Sequence, residues 1–151
     1  MPSPAITPDR ISLFLLDRGP DDNFLLGEQE MTPELIEAAM ETAVDAYNTI
    51  SPITLDHQSV ESFPYRYELL IGTTGNLLRM KAINMIRNRV NYTTAGSVTV
   101  DEKKAAEDYI ALGKDLMSEF MQRCQVIKVN LNQAAGYGHL GSQFAYTNYT
   151  W

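Results

Sequence analysis

Apolar residues recur at three- and four-residue intervals along most of the chain, the spacing of amphipathic helices. Thr7-Pro8 pairs a capping residue with a proline at the first helical position; Ile11, Leu13, Phe14, Leu15 and Leu16 follow, and Gly19-Pro20 closes this short helix. Thr32-Pro33 repeats the start signal, with Glu34 and Glu37 in a first turn whose dipole favours negative charge. Ile36, Met40, Ala43, Val44 and Tyr47 then mark a helix that stops before Ser51-Pro52, and Glu30, Glu37, Glu41 and Asp45 make its other face acidic. Phe63-Pro64 opens a third helix carrying Tyr67, Leu70, Ile71, Leu77, Leu78, Ile83, Met85 and Ile86. Inside it, Gly72-Thr73-Thr74-Gly75 sets two glycines three apart, which predicts one kinked helix and would also permit close approach of a neighbour.

Residues 91–100, NYTTAGSVTV, break the helical period and read as a small β-like hairpin or extended loop. A long helix follows, to about Val126, opened by Thr99 and Glu102 in capping-box spacing or by Asp101. Its apolar stripe is Ala105, Tyr109, Leu112, Leu116 and Phe120, with Ala106, Ile110, Met117 and Met121 beside it. The last segment, from Asn130, contains no Asp, Glu, Lys or Arg, yet holds Tyr137, Phe144, Tyr146, Tyr149 and Trp151. Glycines at 136, 138 and 141 discourage helix there. A disordered tail is ordinarily charged and poor in aromatics. An extended arm made to be buried, on another chain or on its own bundle, fits this composition better. The expected architecture is therefore mainly α: a bundle of about four helices over residues 1–129 and an extended aromatic C-terminal arm over 130–151.

With 151 residues the chain is of single-domain size. Its net charge of −7 argues against a non-specific nucleic-acid binder, which needs a cationic surface. The distribution says more than the total. Residues 1–62 hold 12 acids and only Arg10 and Arg18, whereas residues 63–151 hold 7 acids and 10 basic residues. Either these are simply solvated helix faces, or the molecule is polar and identical copies can meet head to tail. A head-to-tail contact would set Glu34, Glu37 and Glu41 against Arg79, Arg87 and Arg89 of a neighbour. No apolar run approaches the length of a membrane span, and the first residues lack the pattern of a signal peptide, so a soluble protein from a reducing compartment is expected.

Catalytic chemistry finds little support. Gly136-Tyr137-Gly138-His139-Leu140-Gly141 matches a dinucleotide-binding loop, with Val126-Ile127-Lys128-Val129 as a possible preceding strand, but no acidic ribose partner follows. His57 and His139 have no second metal ligand at helical spacing, and Cys124 sits among Met121, Val126 and Ile127 as a buried thiol would. Glu34, Glu37 and Glu41 lack the histidine partners of bundle di-metal sites. No enzyme, no metal and no cofactor is expected.

Thr32-Pro33-Glu34, Phe63-Pro64-Tyr65, Leu69-Leu70-Ile71-Gly72 and Arg87-Asn88-Arg89 followed by Gly96-Ser97-Val98 resemble small neck proteins of tailed bacteriophages. So do Asp101 with Tyr109, and the run from Asn132 to Gly141-Ser142-Gln143. These are the head–tail connectors, or adaptors, that bind the portal. The resemblance covers about residues 8–144 and lies in packing and turn residues. It implies a non-enzymatic virion protein made in the host cytoplasm and placed at the head–tail interface. It also implies a homo-oligomeric ring, commonly of twelve copies, between the portal and the next neck or tail protein. Genomic DNA would pass through without sequence-specific binding, and no membrane is involved. The arm with Tyr137, Phe144, Tyr146, Tyr149 and Trp151 is assigned to the portal. A tail- or head-completion protein of the same particle, or a small acidic regulatory binding protein, is the alternative.

Overall fold

Thr32-Pro33 does start a helix, and so do the other signals within one or two residues. The computed structural model describes residues 6–19, 22, 29–53, 58–87 and 102–137. Among them are four helices and no strand: α1 (Pro8–Leu15), α2 (Pro33–Thr49), α3 (Arg66–Arg87) and α4 (Glu102–Tyr137). The hairpin expected at 91–100 lies outside the described residues. Helix α3 begins at Arg66, just after Phe63-Pro64, with the Leu69 N–H donating to the Tyr65 carbonyl at 3.0 Å.

The short α1 is tied to α2 by side chains the apolar pattern does not reveal. Thr7 precedes Pro8 as expected, but only its carbonyl is used; the side chain makes no cap hydrogen bond. Leu16 terminates α1 in the left-handed conformation at φ 55°, a position where glycine is the usual residue. The next residue, Asp17, is buried, and its carboxylate accepts from the backbone N–H groups of Glu30 at 2.7 Å and Met31 at 2.6 Å. The Gln29 side-chain amide also donates to the buried Ser12 hydroxyl at 2.8 Å. Two charge-assisted bonds thus fix where α2 begins. Thr32 then caps it, its hydroxyl accepting from the Leu35 N–H at 3.4 Å.

Helix α3 is central. It packs on α2 along one flank and on α4 along another, antiparallel to both, and eight consecutive residues, 71–78, are buried. Burial all round a helix requires neighbours on nearly every side and small residues where they come closest. Gly72 and Gly75 do not divide α3 into two; they meet its neighbours. A β-carbon on Gly72 would lie 2.9 Å from the Phe120 ring and 3.1 Å from Ala43. On Gly75 it would lie 3.0 Å from Met117 and 3.2 Å from the Gly113 carbonyl, and on Gly113 it would lie 3.0 Å from the Gly75 carbonyl. Backbone therefore meets backbone between α3 and α4, closer than ordinary ridge-and-groove packing allows.

Two expectations about α4 are corrected by this packing. The buried line is Ala106, Gly113, Phe120, Cys124 and Lys128, whereas Leu112 and Met121 are about half exposed. The line is rotated because Gly113, an apparent gap in the apolar stripe, is its point of closest contact. Nor is the chain extended from Asn130. The helix runs on to Tyr137, since Asn130-Leu131-Asn132-Gln133-Ala134-Ala135 contains no breaker and Gly136 falls only in the last turn. Any extended arm begins no earlier than residue 138, and 138–151 lie outside the described residues.

Gly113→Ala is expected to destabilise the fold by about 2 kcal/mol, because the added methyl meets a carbonyl that belongs to a helix. Gly136→Ala, with nothing within 4 Å, is expected to be neutral or to stabilise by up to about 1 kcal/mol. Urea unfolding of both variants checks this; a Gly113→Ala protein as stable as the parent would contradict the backbone contact.

Candidate functional site

The residues singled out from sequence fall into two surfaces and a buried centre. On the first surface, Glu34, Glu37, Glu41 and Asp45 all project from the outer side of α2 and are exposed. Glu34 is held below the usual carboxylate range by its own backbone N–H and the Thr32 hydroxyl, the ordinary chemistry of a helix N-terminus. Glu30 does not belong to this ridge. It precedes α2 and forms an ion pair with Lys81 of α3. Lys81 is thereby used inside the molecule, while Arg79 and Arg87 stand exposed on α3. Arg89 lies outside the described residues. Acidic α2 and the basic positions of α3 are thus available to solvent on different helices of the one bundle.

The second surface is the C-terminal part of α4. Of the proposed arm residues, Tyr137 is the last helical residue, and Phe144, Tyr146, Tyr149 and Trp151 lie outside the described residues. Lys128 is the last buried position described in α4; residues 129–136 are all exposed and uncharged. Eight residues at a rise of about 1.5 Å carry the helix roughly 12 Å past its last anchor.

That anchor is itself unusual. Lys128 is fully buried, and among the described residues no carboxylate partners it. Its ammonium donates to the Ile50 carbonyl at 2.8 Å and the Asn48 carbonyl at 3.3 Å, and lies 4.6 Å from the centre of the Tyr47 ring. The three partners surround the C-terminus of α2, where unpaired carbonyls and the negative dipole end favour a cation. Burial pulls its pKa below the usual lysine value. Sequence reasoning passed over this residue because a lysine in an apolar run reads as surface charge. Its place one turn after Cys124, on the buried line, is the only signal that could have found it.

Cys124 and Tyr47 surround the same centre. Burial pushes the Cys124 thiol up to about 12 and the Tyr47 phenol to about 12. A thiol so suppressed is no nucleophile at neutral pH, which agrees with its reading as a structural residue. Tyr47 also stacks edge-on against Phe63, with ring centres 4.9 Å apart. His57 and His139 lie outside the described residues. Among the described residues no group of three or more His, Cys, Asp or Glu could hold a metal ion, and no helix is long and apolar enough to cross a membrane. The dinucleotide-loop match loses its context, because Val126, Ile127, Lys128, Val129, Gly136 and Tyr137 are all helical and no strand precedes the glycines.

The bundle thus has buried polar residues that hold helix ends, together with an exposed acidic ridge on α2 and an exposed, uncharged end of α4. No family model, no curated protein and no solved structure matches this chain.

The buried centre gives a pH dependence. The raised pKa values of Cys124 and Tyr47 provide stability that is whole below their unfolded values of 9.0 and 10.0 and is lost as pH rises toward about 12. Lys128, shifted down, acts the opposite way and gains stability up to its unfolded value of 10.5, so the net loss is steepest above that pH. Cys124→Ala is expected to cost stability at neutral pH and progressively less in alkali. Thermal midpoints of both proteins from about pH 8 to about pH 11 read the difference; parallel curves would show that Cys124 does not titrate late.

Proposed function

We propose that this chain is a non-enzymatic head–tail connector of a tailed-phage virion, a ring-forming adaptor that binds the portal. The observation that carries the reading is the form of α4. It leaves the bundle after Lys128 as an exposed, uncharged helix and leads into an aromatic, uncharged segment of the sequence. The described end of α4, residues 129–136, is exposed and includes Val129 and Leu131, and exposed apolar surface is the usual mark of a contact site. Strand addition or groove docking on a partner would bury Phe144, Tyr146, Tyr149 and Trp151.

The charge distribution supports the ring. An acidic ridge on α2 and exposed arginines on α3 suit a contact between unlike faces of neighbouring copies, which closes into a ring when the rotation per copy permits. Neighbours would set Glu34, Glu37 and Glu41 against Arg79 and Arg87. The sequence resemblance supplies the portal as the partner, and the same ring would surround the DNA path.

Light scattering of the full chain mixed with the portal ring of the phage that encodes it tests the reading. The expected result is a stoichiometric complex that is lost when residues 138–151 are removed, with the truncated bundle still helical by circular dichroism. A full chain that leaves the portal unbound would refute the connector role, and binding that survives the truncation would refute the role of the arm.

A further inference from the structure

Lys128 joins two parts of the molecule that lie far apart in sequence. One is the exposed end of α4, residues 129–136. The other is the connection from α2 to α3, described at residues 50–53 and 58–65. That connection is gathered at three points. The Asn48 side chain donates to the Gln58 carbonyl at 2.9 Å and accepts from the Gln58 N–H at 3.0 Å, closing the chain between them. The Tyr47 ring packs edge-on against Phe63 and lies 6.1 Å from the Tyr65 ring. The Lys128 ammonium, itself over the Tyr47 ring, holds the Asn48 and Ile50 carbonyls. Ile53, 75% exposed, stands on the same connection.

We propose that Lys128 is a latch that makes the end of α4 and the α2–α3 connection open and close together. A charge couples them where an apolar side chain would not. If the connection opens while α4 stays in place, the ammonium is left buried without its carbonyls, and an unpaired buried charge is strongly destabilising. If α4 unwinds through Lys128 while the connection stays closed, the Asn48 and Ile50 carbonyls lose their donor at the C-terminus of α2. Both half-open states are penalised, so the fully closed and fully open states are the two that populate. Unwinding starts close by, because the residues beyond Lys128 are all exposed and its own carbonyl is the helical acceptor for the Asn132 N–H. Such coupling is reciprocal. Whatever steadies residues 129–136 also steadies the connection that carries Ile53, and loosening either one loosens the other. This inference does not rest on the connector reading, since the isolated chain tests it without the portal.

Native-state hydrogen exchange of the full chain tests this. The amides of Val129 to Asn132 report on α4, that of Ile50 on the connection, and those of residues 71–78 in α3 on global opening. Asn48→Ala removes the clamp on Gln58 but keeps both carbonyls that hold Lys128. It is expected to speed exchange at Val129 to Asn132 about tenfold, with residues 71–78 unchanged. Leu131→Pro, on the exposed end of α4, is expected to speed exchange at Ile50 by a similar factor. In a Lys128→Met background, which keeps an unbranched apolar stem without the charge, neither change is expected to cross from one part to the other. The latch is overturned if either substitution acts only on its own side in the parent, if residues 71–78 quicken equally, or if the crossing effect survives Lys128→Met. The two single variants decide the matter even where Lys128→Met does not fold.

Discussion

The contact on which the rest of the structure depends is the backbone-to-backbone approach of α3 and α4 at Gly75 and Gly113. Each glycine presents its bare backbone to the other's carbonyl, and a methyl group on either would lie 3.0–3.2 Å from that oxygen. With the helices this close, Gly72 can accept the edge of the Phe120 ring, and Phe120 and Cys124 complete the core that α2 enters through Ala39, Met40 and Ala43. Close approach also explains the burial of Thr73 and Thr74, whose hydroxyls have no hydrogen-bond partner. Two orphaned hydroxyls are a real cost in a low-dielectric interior.

Distance from that contact sets the role of each remaining polar group. Asp17 works at one end of the bundle and Lys128 at the other, and both do the same thing with opposite sign. A buried carboxylate gathers the free N–H groups that precede α2, and a buried ammonium gathers the carbonyls at its C-terminus. Helix α2 is thereby held at both ends by side chains from other elements, α1's exit and α4. That frees its outer face to carry Glu34, Glu37, Glu41 and Asp45, whose mutual repulsion would otherwise fray an amphipathic helix held only by its apolar side.

All four helices were legible in the spacing of apolar residues, and both threonine–proline starts marked their helices to the residue. The paired glycines of α3 were legible as a close approach. What escaped has physical causes. Gly113 was invisible because a glycine in an apolar stripe looks like an interruption, whereas at a backbone contact it is the most intimate position. Lys128 was invisible because its partners are main-chain carbonyls some eighty residues away, which no local pattern encodes. The end of α4 reads too early in the sequence because glycine is a helix breaker only in the interior: Gly136 sits one residue from the terminus, where a helix tolerates it. For the candidate surfaces the sequence supplied the composition, an acidic ridge and an uncharged end. It could not supply which side chains share a face of α4, since that depends on how Gly113 rotates the helix.

The last two turns of α4 follow from these constraints. A helix fragment of eight residues does not form alone in water, because nucleation is unfavourable and its packing partners are missing. Residues 129–136 are helical only as a continuation of a helix already nucleated and anchored by Phe120, Cys124 and Lys128. Continuation contributes about one hydrogen bond for each residue fixed and buries almost no surface, so this stretch lies at the least stable end of the molecule. A second surface laid along it would add burial where the chain itself supplies none. The same binding energy would then stabilise the helix and fix the direction in which residues 138–151 leave it. Lys128 sets where that sensitivity begins. Before it, α4 is determined by its own core, and after it, by whatever it touches.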